Sequence, residues 1–148
     1  MSFKFILLGC GSSMGVPRPD GSWGKCNPNE LRNFRTRCSA LISSNNLNIL
    51  IDTSPDLRFQ LIKQKIKNIH NIIYSHPHAD QTHGINDLRV FYLKNKKKIN
   101  VYTNKVTKKY LQNNFLYCFK DQYNYPAILK LNLINKITTN NFNSLFFK

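Results

Sequence analysis

A chain of 148 residues, 41% hydrophobic and 12% aromatic, is long enough for one domain with a core and too apolar for a disordered polypeptide. The 22 basic residues against 7 acidic ones give a net charge of +15, which favours anionic partners. Cys10, Cys26, Cys38 and Cys118 are scattered and form no CxxC pair, so neither a disulfide framework nor a closed cysteine zinc site is expected.

In chain order, residues 3–8 read as a first strand. Its apolar stretch, residues 5–8, is too short for a signal sequence or a membrane span, so a soluble cytoplasmic protein with no membrane partner is expected. A long turn-rich loop follows over residues 9–37 and holds most of the Gly and Pro. Residues 38–43 and 47–51 predict a hairpin around Ser44-Asn45-Asn46. Thr53-Ser54-Pro55 predicts a helix over residues 55–65, with Ser54 as N-cap, Pro55 in the first position, and Leu57, Leu61 and Ile62 on the buried face. Residues 71–74 read as a buried strand, 84–93 as a helix, 99–103 as a strand, 105–119 as a helix and 127–134 as a last strand. The tail, residues 138–148, carries no clear pattern. No repeat or linker divides the chain, so residues 1–148 form one α/β domain.

The segment with the most chemistry is His76-Pro77-His78-Ala79-Asp80, directly after the strand Asn71-Ile72-Ile73-Tyr74-Ser75. In extended backbone, residues i and i+2 point the same way, so His76 and His78 can face one ion and Asp80 continues the spacing. Imidazole and carboxylate are ligands for zinc and similar divalent ions. The competing reading is a surface loop that happens to be rich in histidine. For the charge, the readings are phosphate binding or the Lys/Asn/Ile bias of A/T-rich coding. The Lys94-Asn95-Lys96-Lys97-Lys98 run and Arg32, Arg35 and Arg37 carry part of the charge, without the interleaved aromatics of a nucleic-acid motif.

His76–Asp80 resembles the HxHxDH signature of the metallo-β-lactamase superfamily. Leu7-Leu8-Gly9-Cys10-Gly11-Ser12-Ser13-Met14-Gly15-Val16-Pro17-Arg18 is similar to the LGCGSSxGVPR opening of one branch, the phosphoribosyl cyclic phosphate phosphodiesterases and their relatives. Trp23-Gly24-Lys25-Cys26, Arg37-Cys38-Ser39, residues 50–58 and His83-Gly84-Ile85-Asn86-Asp87-Leu88-Arg89 follow in the same order. The resemblance runs from about residue 3 to 90 and more loosely to about 135.

That resemblance implies the N-terminal part of an αββα sandwich, an α/β (α+β) arrangement with a mixed sheet and helices on one face. It implies a metal-dependent hydrolase, a phosphodiesterase using a metal-activated water. His76 and His78 match first-metal ligands, Asp80 a second-metal ligand and catalytic residue, and Asp52 an aspartate supporting the metal histidines. Gly11, Ser12, Ser13 and His83 are expected to line the pocket. The cofactor expected is one or two divalent ions, zinc first, manganese or iron otherwise. Two departures stand against the pattern. Gln81 occupies the last His position of the signature, a weakened ligand position. The family's later ligands come from a second half, and this chain ends before them, so it is expected to be truncated at its C-terminus. The alternatives are a non-catalytic half-domain needing a partner chain or self-association, and a basic nucleic-acid-binding module. The expected substrate is a small phosphodiester or other anion.

Overall fold

The computed structural model describes residues 2–45 and 47–134; the tail set apart in the sequence lies outside them. Six strands form one sheet in simple chain order: β1 (Lys4–Gly9), β2 (Ser39–Ser44), β3 (Leu47–Ile51), β4 (Asn71–Ile73), β5 (Ile99–Thr103) and β6 (Leu129–Leu133). β1, β2 and β3 pair antiparallel, and β3 to β6 run parallel. Within the antiparallel part, β2 and β3 form a hairpin because Ser44-Asn45 supplies turn residues between two apolar runs. The parallel part needs crossovers, and the helices supply them.

One cross-strand row fixes the register. Ile6, Leu41, Leu50, Ile72, Val101 and Leu131 are successive partners across all six strands. Leu41, Leu50, Ile72 and Val101 are fully buried, and all six belong to or pack on the core with Leu57, Leu61, Ile85, Leu88, Phe91 and Leu111. These core residues come from α1 (Leu57–Lys63), the 3-10 turn Ile85–Leu88, α3 (Arg89–Asn95) and α4 (Lys105–Asn114), so the helices cover this face. A one-residue slip would turn every one of these side chains to the other face.

The opposite face is different at its two ends. Phe5, Leu7, Ile42, Ile49, Ile51 and Ile73 form its apolar end on β1–β4, while Asn100, Tyr102, Lys130 and Asn132 make the β5–β6 end polar. Phe5 and Leu7 are 63% and 65% exposed, more than a settled sheet face leaves in water.

Every predicted strand is present within a residue or two. Three helix expectations need correction. α1 begins at Leu57, with Asp56 at its cap position, because Ser54 Oγ and Ser54 O instead accept the Asp56 and Leu57 amides and close a turn ahead of it. Ile62 is 61% exposed and faces a surface groove, not the core. The expected helix over 84–93 is a 3-10 turn that passes directly into α3, with the separate short α2 (Ala79–Thr82) ahead of it, and the helix over 105–119 breaks at Phe115 before α5 (Leu116–Phe119). Phe115 leaves helical geometry with φ −131° and ψ 36° and is itself buried.

Gly84 separates α2 from the 3-10 turn. Its amide donates to Thr53 O at 2.9 Å, and an added Cβ would run into the Ser54 carbonyl. Backbone of 53–54 and 84 lie too close for a side chain. No helix among the described residues is long and apolar enough to cross a membrane. Substituting Gly84→Ala forces this contact apart and is expected to lower stability by about 1–3 kcal/mol, the range for overpacking a tight core. Urea unfolding followed by circular dichroism would show it as a lower midpoint at unchanged slope.

Candidate functional site

The site residues gather where β3 and β4 end, side by side and in parallel. Two polypeptide turns leave there: 52–56 after β3 and 74–84 after β4. They are bound to each other by a dense set of hydrogen bonds. Asp52 N–H donates to Ile73 O at 2.9 Å, Thr53 N–H to Gln81 O at 2.6 Å, and Gly84 N–H to Thr53 O at 2.9 Å. The Thr53 hydroxyl faces Gln81 O at 3.3 Å and Thr82 O at 3.1 Å, both of which only accept. The Tyr74 hydroxyl, 2.8 Å away, is therefore the donor to Thr53 Oγ1. Tyr74 is buried, and burial holds its phenol above the usual range, protonated as this role requires.

Asp52 is buried and sits at φ +59°, a left-handed conformation that Asp tolerates better than most residues. Its two oxygens both go to one neighbour. Oδ1 accepts the Ser75 N–H at 2.8 Å and Oδ2 the Ser75 hydroxyl at 2.6 Å. Burial pushes the Asp52 carboxyl up, against the pull of the two Ser75 bonds.

The Ser75 proton is thus committed to Asp52. Ser75 Oγ lies 2.9 Å from His76 Nδ1 and can only accept there, so Nδ1 carries the hydrogen. His76 Nε2 is left with a free lone pair, the tautomer a metal ligand needs. His78 stands beside it, ring centroids 4.6 Å apart and edge-on at 75°. His76 is half-buried and His78 exposed. Asp52, expected to support the metal histidines, reaches His76 one residue removed, through Ser75.

Asp80 and Gln81 lie in the middle of α2. Gln81 is buried, and its Nε2 donates to Asp80 Oδ2 at 2.9 Å and to Cys38 Sγ at 3.0 Å. Its Oε1 has no partner among the described residues. Among the described residues, no three His, Cys, Asp or Glu side chains converge as a metal cage. The candidate donors are the imidazole pair and, two residues on in α2, the Asp80 carboxylate, one oxygen of which is engaged by Gln81.

The remaining expected residues are held by local contacts of their own. His83 is exposed, its Nδ1 3.1 Å from Thr82 Oγ1 and its ring edge-on to Phe115 at 5.4 Å. The glycine loop runs along residues 35–37: Gly11 N–H donates to Thr36 O at 2.8 Å, and Ser12 O accepts from Gly15 at 2.9 Å. Ser12 and Ser13 are exposed. A Cβ at Gly11 would meet Arg35 O at 2.7 Å, which is why glycine stands there. Asp121, at the other end of the molecule's chain order, holds the Ala127 amide at 2.9 Å and Lys98 at 3.2 Å and is structural.

Arg37 and Asp56 link the glycine loop to the site turn, and sequence reasoning missed this pair along with Ser75 and Cys38. Asp56 accepts from Arg37 N–H, Nε and Nη2 at 2.8, 2.9 and 2.6 Å. Those bonds hold the Asp56 carboxyl below its usual range and raise Arg37. A serine directly before the histidine motif and an Arg–Cys–Ser run at a strand start were the only sequence signals.

The model of the beta-lactamase superfamily domain matches residues 47–144. The chain belongs to that family. A solved diphosphatase of the PhnP family superposes on 90% of this chain with a TM-score of 0.78 at 28% identity, and the match takes in 51% of that structure. Zinc-bound PqqB from Methylobacterium extorquens shares the fold, with a TM-score of 0.65 at 17% identity over 90% of this chain and 46% of its own. Among curated proteins, an octanoyltransferase of Porphyromonas gingivalis is 38% identical over 87 residues, which are 58% of this chain and 18% of that protein. The chain therefore spans about half the length of the solved structures it matches and less of the curated relative.

Two predictions follow from the geometry. Ser75→Ala removes the hydroxyl that joins Asp52 Oδ2 to His76 Nδ1, while the residue-75 amide stays on Asp52 Oδ1; if the histidine pair binds zinc, this is expected to weaken the affinity by about 10–100-fold, the usual cost of losing a ligand's hydrogen-bonded support, with the fold intact. Competition against a chromophoric chelator measures it. Asp56→Asn is expected to cost about 1–2 kcal/mol at pH 7, allowing for partial solvent screening of the pair. Because the Asp56 pKa is lowered on folding, its stabilisation is present above the unfolded value of about 3.9 and is lost as pH falls through the folded value, so the gap to wild type closes below about pH 4. Thermal melts at pH 7 and pH 3 test this.

Proposed function

We propose that this domain is a metal-dependent hydrolase of phosphodiesters, with His76 and His78 as its metal-binding pair and Asp80 beside them. The observation that carries the reading is the Asp52–Ser75–His76 relay. A buried carboxylate spends both oxygens on a serine whose only remaining act is to fix one tautomer of an exposed-edge imidazole. A surface loop rich in histidine has no use for such a device. The ligand types favour zinc, with manganese or iron as the alternatives.

A divalent ion held there supplies Lewis acidity, polarising a phosphoryl oxygen and acidifying a coordinated water. The chain's own residues do the rest. Asp52 and Ser75 hold the His76 proton on Nδ1. Asp80, steadied by the Gln81 amide, is placed to accept a proton or a further ligand bond. Gln81 offers a poorer ligand than imidazole, so one ion is expected to bind more tightly than a second. Lys105 and Lys109 form one wall of a hollow of about 440 Å³ that Pro77, between the two histidines, borders. They and the net charge of +15 suit an anionic substrate. The solved diphosphatase relative at 28% identity supports the same substrate class.

A second reading is favoured by one observation: three donors do not converge among the described residues. In it, this domain does not turn over alone. A further polypeptide segment, a partner chain or a second copy seats on the apolar Phe5–Leu7–Ile42 face and brings the missing donors.

The test is elemental analysis of the purified protein beside a His76→Ala/His78→Ala variant, followed by hydrolysis of bis(4-nitrophenyl) phosphate with and without chelator. The expected result is about one zinc per chain, lost in the variant, with chelator-sensitive turnover. Metal without turnover leaves the second reading. No metal in either protein contradicts the assignment of the pair, and salt-sensitive, metal-independent binding of nucleic acid would favour the basic-module alternative.

A further inference from the structure

A groove unrelated to the metal end lies between α1 and α3 on the outer helical layer. Its volume is about 620 Å³, within the range of small-molecule sites. Leu61, Ile62, Ile66, Val90 and Phe91 make its apolar surface. Ile62 and Val90 are 61% and 60% exposed, so the groove presents its apolar walls directly to water.

The rim is cationic. Arg58, Lys65, Lys67 and Lys94 border the groove, with Asp87 as the acidic residue among the lining. Arg58 lies nearest to Asp87, whose carboxylate already accepts the Arg58 amide at 3.0 Å. Lys94 Nζ donates to the Lys67 carbonyl at 3.4 Å, which draws two sides of the rim together. The ion pairs found among the described residues join Arg32 to Glu30, Arg37 to Asp56 and Lys98 to Asp121, and none takes a lysine of this rim. The neutral polar lining is engaged as well, since Asn86 Oδ1 accepts the Tyr117 hydroxyl at 2.6 Å. A ligand here is therefore read by charge and apolar contact, not by a hydrogen-bond pattern.

We propose that this groove binds a free single-chain amphiphilic anion, its acyl chain along Ile62, Ile66, Val90 and Phe91 and its headgroup among Lys65, Lys67 and Lys94. Charge complementarity selects the anion, and the continuous apolar walls between two helices select an unbranched chain. A compact polar anion such as inorganic phosphate would leave those walls wet.

The probe is decanoate below its micellar concentration, titrated into the full chain by calorimetry and followed by ¹H–¹⁵N NMR. The expected result is saturable binding of one decanoate per chain, with shifts confined to α1, α3 and residues 64–67. Val90→Asp places a repelling charge in the groove at an exposed position and is expected to weaken binding about tenfold or more, as is Lys65→Glu/Lys94→Glu. Uncharged decanol is expected to bind about tenfold more weakly than decanoate. Melting curves of both variants confirm that they fold; should Val90→Asp fail to, the charge-reversal pair and decanol carry the test. Absence of saturable binding, equal affinity for decanol, indifference to the folded variants, or binding only to vesicles of anionic lipid would overturn the proposal.

Discussion

The structure depends on one buried junction, where the turn after β3 is bonded to the loop after β4. Asp52 and Thr53 carry it. Each uses both main chain and side chain, so the two turns cannot shift separately. Thr53 bonds to Gln81, Thr82, Tyr74 and Gly84, and Asp52 bonds to Ile73 and Ser75. A buried polar group is costly when unpaired, so each of these bonds locks the next. The parallel pairing of β3 with β4 brings both strand ends to the same edge, and the shared hydrophobic row through Leu50 and Ile72 sets their register. The site inherits its precision from that register.

The same junction explains why the histidine loop is kinked into short helices. Gly84 must approach the Ser54 carbonyl, and Thr53 must reach Gln81 and Thr82. A continuous helix would carry those groups away. α2 is therefore only a turn long, and its use is to present Asp80 and Gln81 beside Cys38 instead of to bury an apolar stripe. Asymmetry of the sheet follows a related logic. One face is closed by helices over a continuous apolar row, while the other grades from apolar at β1 to polar at β6, an arrangement suited to receiving a partner layer at one end.

Much of the fold was legible in the sequence because the strands are short apolar runs bounded by turn residues. The pairing of His76 with His78 was legible for a related reason, since their extended spacing sets the rings 4.6 Å apart, whereas Asp80 leaves that spacing by entering α2. What could not be read depends on distant pairing. Cys38 meets Gln81 across 43 positions, and Arg37 meets Asp56 across 19. Ser75 looked like an ordinary strand end, and only the buried Asp52 beside it turns it into a relay. Ile62 fitted the helical stripe, yet the stripe is wider than the core it faces, and the surplus opens the α1–α3 groove. The helical segment over 84–93 was legible, but not its opening as a 3-10 turn, because propensity and period carry no information about the backbone contact of Gly84 with residue 54.

The central claim is that Asp52, through Ser75, fixes His76 with its proton on Nδ1 and its Nε2 lone pair free. Long-range ¹H–¹⁵N correlation of the imidazole nitrogens in the metal-free protein at pH 8 reads this directly. The account predicts a pure Nδ1–H tautomer for His76 in the wild type and a shift toward the Nε2–H form in Asp52→Asn. A wild-type His76 protonated on Nε2, or a tautomer indifferent to Asp52, would contradict it.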